Sequence, residues 1–284
     1  MLRFRLKKLL RHSLPEDRSR DSEFSHFNCT PIEANKTIQG LWIGSELSVM
    51  EQLSISSFLL NEHDYHLYVY DDVKYIPDGT VVMDANEILP ASRIFQYRSR
   101  PSYAGFANFF RYKLLLERGG WWADSDTVCL KPFDFPGEYV FSTERNYRGQ
   151  EVVGTCVIKA PRGSEVMAYA WNVCQRKSPE RLVWGETGPG LMAKAVKRFG
   201  LDKYKMSHLA FCPVDYEEWR KVLLPGFELS DERTCAIHLW NEMWRVAAQD
   251  KNAEYHPNCL YEKLKRAYCP LTTVAHDAKK IAPS

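Results

Sequence analysis

The sequence predicts an α/β fold built on a single mixed, Rossmann-like sheet flanked by helices. Short apolar runs alternate with helix-length amphipathic ones, the early order is strand, helix, strand, and polar residues recur where the apolar runs stop. Residues 36–44 (KTIQGLWIG) read as a buried first strand closed by a glycine, and a helical run follows to Leu60. Residues 66–70 (HLYVY) form the second strand, capped by Asp71 and Asp72, and residues 80–83 a weaker third. Phe106, Phe110 and Leu114 recur at helical spacing in a run that stops at Gly119 and Gly120. A bulky strand over 121–123 then leads into Asp124-Ser125-Asp126. Further strands follow over 139–142 and 152–159, with a helix over 164–176. A tight loop, WGETGP over 184–189, opens a helix over 190–199, and CAIHLW over 235–240 is a late strand that delivers His238 and Asn241. Ligands of such sheets bind beyond the carboxyl ends of the strands, where Gly44, Asp71 and Asp124 all fall.

A chain of 284 residues suits one large α/β domain. Its expected span is 36–270, between a basic, partly irregular segment over 1–35 and a loose tail over 271–284. With 38 basic against 36 acidic residues the net charge is +2, which gives no global attraction to nucleic acid. Eight cysteines without a CxxC pair argue against a zinc ribbon and a dense disulfide framework, and suit reduced thiols in a cytosol. The opening MLRFRLKKLLR carries five cations and no acid among apolar residues. It is too short and too charged to span a bilayer. It is either a frayed end or a peripheral contact with an anionic membrane surface, so the expected location is cytoplasmic, at most at the inner face of the membrane.

The densest signal is YAGFANFFRYKLLLERGGWWADSDTVCLKPFD over 103–134. It sets two carboxylates, Asp124 and Asp126, one residue apart at a strand end. Hard divalent cations such as Mg²⁺ and Mn²⁺ take oxygen ligands and are held by one or two carboxylates together with substrate phosphates. Asp-x-Asp in this position therefore suits a metal and a diphosphate. The chain has no P-loop and no kinase-type glycine loop, which argues against phosphoryl transfer.

Four pieces together resemble the Asp-x-Asp sugar-nucleotide transferases of the GT-A type: LWIG at 41–44, FRYKLLLERGGWWADSDTVCLKP at 110–132, TGP at 187–189 and HLWNEMW at 238–244. The likeness is to the retaining group of glycosyltransferase family 32, which includes α-1,4-galactosyltransferases, initiating α-1,6-mannosyltransferases and bacterial capsule or lipopolysaccharide sugar transferases. It spans roughly residues 36–244. The resemblance implies a Mn²⁺- or Mg²⁺-dependent hexosyltransferase using a UDP-sugar, or a GDP-sugar, on a saccharide or glycolipid acceptor. Asp126 and Asp124 would hold the metal with His238 as a third contact, and Ser125 would lie against the nucleotide. Arg111 would face the donor sugar or diphosphate, its planar fork suited to two oxygens at once. Trp42, with Ile43 and Gly44, is either a platform for the base or an ordinary core tryptophan. Thr187 and Gly188 would offer helix-start amides to anions or sugar oxygens, and Asn241 and Trp244 would complete the donor side. Glu186 is the acceptor-side expectation. Asn108 departs from the pattern, because related enzymes often carry an aspartate there that holds donor-sugar hydroxyls; an amide adds no charge. A transferase that modifies a host protein and a non-catalytic nucleotide-sugar-binding relative are the competing readings.

Overall fold

The structure is a computed structural model that describes residues 36–269. The expectations for 1–35 and 271–284, the basic opening included, lie outside the described residues. The main sheet has six strands in the order β3-β2-β1-β4-β7-β6. These are β1 (Ile38–Leu41), β2 (Tyr65–Val69), β3 (Val81–Asp84), β4 (Gly120–Ala123), β6 (Val140–Arg145) and β7 (Glu151–Ala160). Strands β3, β2, β1 and β4 run parallel, whereas β7 is antiparallel to both β4 and β6. From β1 the chain builds outward through β2 and β3, then returns to lay β4 on the other side of β1. The seam between β1 and β4 is thus a topological switch point, where open α/β sheets form their ligand crevice.

Helices cover both faces, and the adjacent pair Trp121-Trp122 shows why both are filled. Successive residues of a strand point to opposite faces. Trp122 joins the core under α2 (Ala104–Arg118), α3 (Glu165–Gln175) and α4 (Pro189–Arg198), while Trp121 joins the core under α1 (Val49–Leu60) and α5 (His208–Phe211). Each indole is 2% exposed, and burying a large apolar side chain contributes about 1.5–3 kcal/mol. Helix α1 starts in a capping box, with Ser48 accepting from the Met50 amide and Glu51 accepting from the Ser48 amide at 2.9 Å. Helix α2 ends at Gly119, whose φ of 67° brings it so close to Arg162 that a Cβ would strike the Arg162 backbone nitrogen. That glycine turns the chain straight into β4.

The expected single sheet needs one correction. Strand β5 (Thr127–Cys129), not anticipated from the sequence, pairs antiparallel with β8 (Ala236–His238) in a separate two-stranded sheet. The late strand therefore never enters the main sheet. A third apolar cluster, including Val128, Ile237, Leu239, Trp244 and Tyr261, packs the small sheet against α6 (Asn241–Val246) and α7 (Leu260–Tyr268). Among the described residues no helix is long and apolar enough to cross a membrane.

Candidate active site

Asp124 lies immediately after β4, on the carboxyl side of the switch point, and its amide donates to the Cys156 carbonyl of β7 at 2.8 Å. Its Oδ1 is gripped twice, by the Trp122 indole N–H at 2.8 Å and by the Arg111 guanidinium at 3.0 Å. Arg111 comes from α2 and is 4% exposed. It also donates to the Thr155 carbonyl and lies over the Trp122 ring, 4.9 Å from the centroid. Arg111, expected to face the donor, turns inward here and braces Asp124. Buried charge needs such a partner, and α2 supplies it from the turn above the acid.

Asp126 is held from the other side. Antiparallel pairing sets Thr127 opposite His238, so the imidazole Nε2 stands 3.2 Å from Asp126 Oδ1. The Asn241 amide donates to Oδ2 at 2.7 Å, and the Leu239 amide donates to the Asp126 carbonyl at 2.9 Å. Trp240 makes this possible by adopting a left-handed backbone, φ 59° and ψ 51°, which is rare and strained for a bulky residue. Its ring packs on His238 at 4.1 Å between centroids, and its indole N–H donates to the Val214 carbonyl at 2.8 Å. The turn at Trp240 aims the Asn241 amide, not its side chain, at the carboxylate.

The two acids differ electrostatically. Burial raises Asp124 above the usual carboxylate range, and Arg111 only partly opposes it. Burial also works against a charged Asp126, but the His238 charge and hydrogen bond together with the Asn241 amide win and lower it. For His238 burial likewise disfavours charge, yet Asp126 first, then Cys156 and Asp124, raise the ring to about 10.

The donor set fits a hard divalent cation. One ligand atom each from Asp124, Asp126 and His238 lie within 4.8 Å of one another. Two donors at right angles on an ion about 2.1 Å away stand about 3 Å apart, close to the 3.2 Å between Asp126 and His238. A cation entering there replaces the positive charge that the imidazole now supplies, provided the ring gives up its proton. His238 Nδ1 is buried without a hydrogen-bond partner among the described residues, beside the thiols of Cys156 and Cys212.

The remaining expected residues divide. Trp42 lies just past β1, half-buried, with its indole N–H lacking a partner among the described residues and the Lys251 ammonium 5.8 Å from its ring centroid. Ile43 is half-buried against the core, Gly44 is exposed, and Ser125 is half-buried between the two acids. Trp244 is a correction: it is 0% exposed, its indole donates to the Leu239 carbonyl at 2.8 Å, and it packs on Trp219 and Tyr261, so it is a core residue with no face toward a ligand. Thr187 and Gly188 are also buried rather than open, because the Tyr112 hydroxyl of α2 donates to the Thr187 carbonyl at 2.8 Å. Asn108 is buried beside Gly188, where an added Cβ would lie 3.1 Å from its amide nitrogen. Glu186 is no free acceptor-side carboxylate; it pairs with Lys177 at 2.5 Å and accepts from the Val183 amide at 3.2 Å, bracing its own loop. Trp240 and Glu144 are the residues near the acids that the sequence reading passed over. Trp240 lies inside the quoted HLWNEMW, but a positive φ at tryptophan leaves no sequence signal.

Two sequence-family profiles match the chain. "Glycosyltransferase sugar-binding region containing DXD motif" covers residues 48–143, and "Alpha 1,4-glycosyltransferase conserved region" covers residues 180–276. No curated protein matches. Among solved structures the chain is similar to "PaToxG Glycosyltransferase" at 19% identity, covering 62% of this chain and 74% of that one, with a TM-score of 0.46. It is also similar to the glycosyltransferase GlyE of Streptococcus pneumoniae TIGR4, at 14% identity over 60% of this chain and 45% of that one, TM-score 0.34. A third is the WbbM bifunctional glycosyltransferase, at 12% identity over 85% of this chain and 51% of that one, TM-score 0.40.

Proposed function

We propose, from the premise that the chain is a glycosyltransferase with a DXD sugar-binding region, that it moves galactose or glucose from a UDP-sugar to a saccharide acceptor of a cell-surface polysaccharide, lipopolysaccharide or glycolipid. The transfer uses Mn²⁺ or Mg²⁺ and retains the configuration at the anomeric carbon, as the likeness to family 32 implies. The observation that carries the metal reading is the convergence of Asp124, Asp126 and His238 at the carboxyl end of β4.

Asp126 and His238 would hold the cation with Asp124 beside them, and the cation would supply positive charge to the departing diphosphate. The chain's own contribution is placement. Arg111 and the Trp122 indole keep Asp124 in one rotamer, and the Asn241 amide does the same for Asp126. The helix-packed walls and the two indoles beneath the acids exclude water from their inner side, where electrostatic interactions are strongest. The Trp42 N–H and ring take the nucleotide at the end of β1. The phosphate oxygen that leaves the anomeric carbon takes the proton of the attacking acceptor hydroxyl.

A thermal-shift screen of UDP-galactose, UDP-glucose, UDP-GlcNAc and GDP-mannose, each with and without Mn²⁺, tests the reading. A ligand that binds only the native state raises its stability by mass action. UDP-sugars are expected to shift the protein in Mn²⁺ and not in EDTA; a protein unmoved by every nucleotide would overturn the proposal.

A further inference from the structure

Glu144 has no part in the metal cluster, yet it stands next to the backbone that carries it. It lies on β6 paired with Val152 of β7, and its carboxyl makes no hydrogen bond or ion pair among the described residues. Gly154 of β7 leaves room for it: a Cβ there would lie 2.9 Å from Glu144 Oε2 and 3.4 Å from Ser142 Oγ. The next residues of β7 accept from the site itself, Thr155 from Arg111 and Cys156 from the Asp124 amide. The charge of Glu144 bears on Tyr216 and Cys212, and Glu144 in turn feels His238 and Asp124. The neighbouring Arg145 behaves differently. It makes a two-point ion pair with Asp215, at 2.7 and 2.9 Å, and ties β6 to the segment that carries Tyr216. Strand alternation sends 144 and 145 to opposite faces, so one residue anchors and the other is left with an unmatched carboxyl.

An unmatched, half-buried carboxyl is disfavoured in its charged form, because ionisation there lacks donors. Burial pushes Glu144 up to about 7, with His238 opposing and Asp124 adding to the rise. The strand order gives a direction for the missing partner. A nucleotide sugar laid over the switch point places its nucleoside at β1, where Trp42 stands, and its diphosphate at β4, where the two aspartates stand. The sugar would then extend toward β7 and β6, the next strands in the order.

We propose that the Glu144 carboxylate accepts a hydrogen bond from a hydroxyl of the sugar being transferred, and so recognises the sugar half of the donor. This rests on the transferase reading and adds a sugar-binding residue to it. Because the contact is to the sugar and not to the nucleotide, comparing UDP with UDP-sugars distinguishes it from a role of Glu144 in folding.

The test compares UDP with UDP-galactose and UDP-glucose, in Mn²⁺, by calorimetric titration of the wild-type chain and of the variants E144Q and E144A, together with hydrolysis of the same donors. A wild-type chain that binds no uridine nucleotide overturns the donor reading itself. If it binds them, Glu144 predicts that UDP affinity stays within twofold in both variants. Affinity for the better UDP-sugar, or its hydrolysis kcat, should fall several-fold in E144Q and at least about tenfold in E144A, the range expected for losing a charge-assisted hydrogen bond. UDP-sugar binding and hydrolysis within twofold of wild type in E144A would overturn the proposal while leaving the transferase reading in place. So would loss of UDP binding and of thermal stability together in both variants, which marks a purely structural carboxyl.

Discussion

Asp124 and Asp126 are separated by one residue, yet they belong to different walls. The first wall, α2 with β4, is local: Arg111 and Trp122 both lie within thirteen residues of Asp124. The second, β5 with β8 and α6, is assembled from afar, since His238 and Asn241 reach Asp126 from more than a hundred residues along the chain. The first wall neutralises its acid with a permanent cation. The second uses a histidine whose proton a metal can replace. The difference separates the roles proposed for them: Asp124 as a strut braced by Arg111, and Asp126 as the principal ligand of the proposed cation.

Replacing Asp126 tests that contrast with the largest expected effect. D126A should lose UDP-sugar hydrolysis by more than about a hundredfold, beyond the 10–100-fold that outer partners of a metal site command. Near-normal turnover of D126A in EDTA would remove the metal from the account. The first wall should answer in stability instead. R111M leaves Asp124 buried without its cation and should cost about 3–5 kcal/mol, toward the lower end because the Asp124 side chain is 24% exposed. The double variant R111M/D124N should recover part of that loss; strictly additive effects in a denaturant-unfolding cycle would show that the pair is not coupled.

A smaller effect concerns pH. The folded-state value of Glu144 is raised, so the stability its protonated form contributes is fully present below the unfolded value of 4.5 and is lost as pH rises through about 7. E144Q removes that titration. Its Tm should therefore gain on wild type between pH 5 and pH 8, whereas a constant difference over that range would mean the carboxyl is solvated. The smallest effect is expected at Glu186. Its pairing with Lys177 is partly exposed and contributes no more than about 1 kcal/mol, so E186Q should change stability and transfer little. A tenfold fall in transfer with stability unchanged would return Glu186 to the acceptor side.

Legibility in the sequence followed the same division. The first wall could be read because its signals are local: helical spacing to Leu114, glycines at the turn, a bulky strand, then Asp-Ser-Asp. The parallel order of the early strands and the place of the acids at a strand end came out as expected. His238 and Asn241 were legible as residues near the site, but the contact made by Asn241 is a backbone amide, set by the left-handed turn at Trp240 that no residue type announces. Trp244 was misread because an aromatic beside a motif looks the same whether it faces a ligand or the core. Its burial depends on Trp219 and Tyr261, which approach only in three dimensions. The small β5–β8 sheet escaped because three-residue strands carry too little periodicity to stand out. Glu144 escaped for a related reason, since a lone glutamate in a strand reads as solvated until its neighbours are known.

Calorimetric titration of UDP into the chain with Mn²⁺ and then with EDTA, in wild type and in D126N, tests the central claim most directly. The account predicts binding that requires both the ion and Asp126. Equal UDP affinity in EDTA, or undiminished Mn²⁺-dependent binding in D126N, would contradict it.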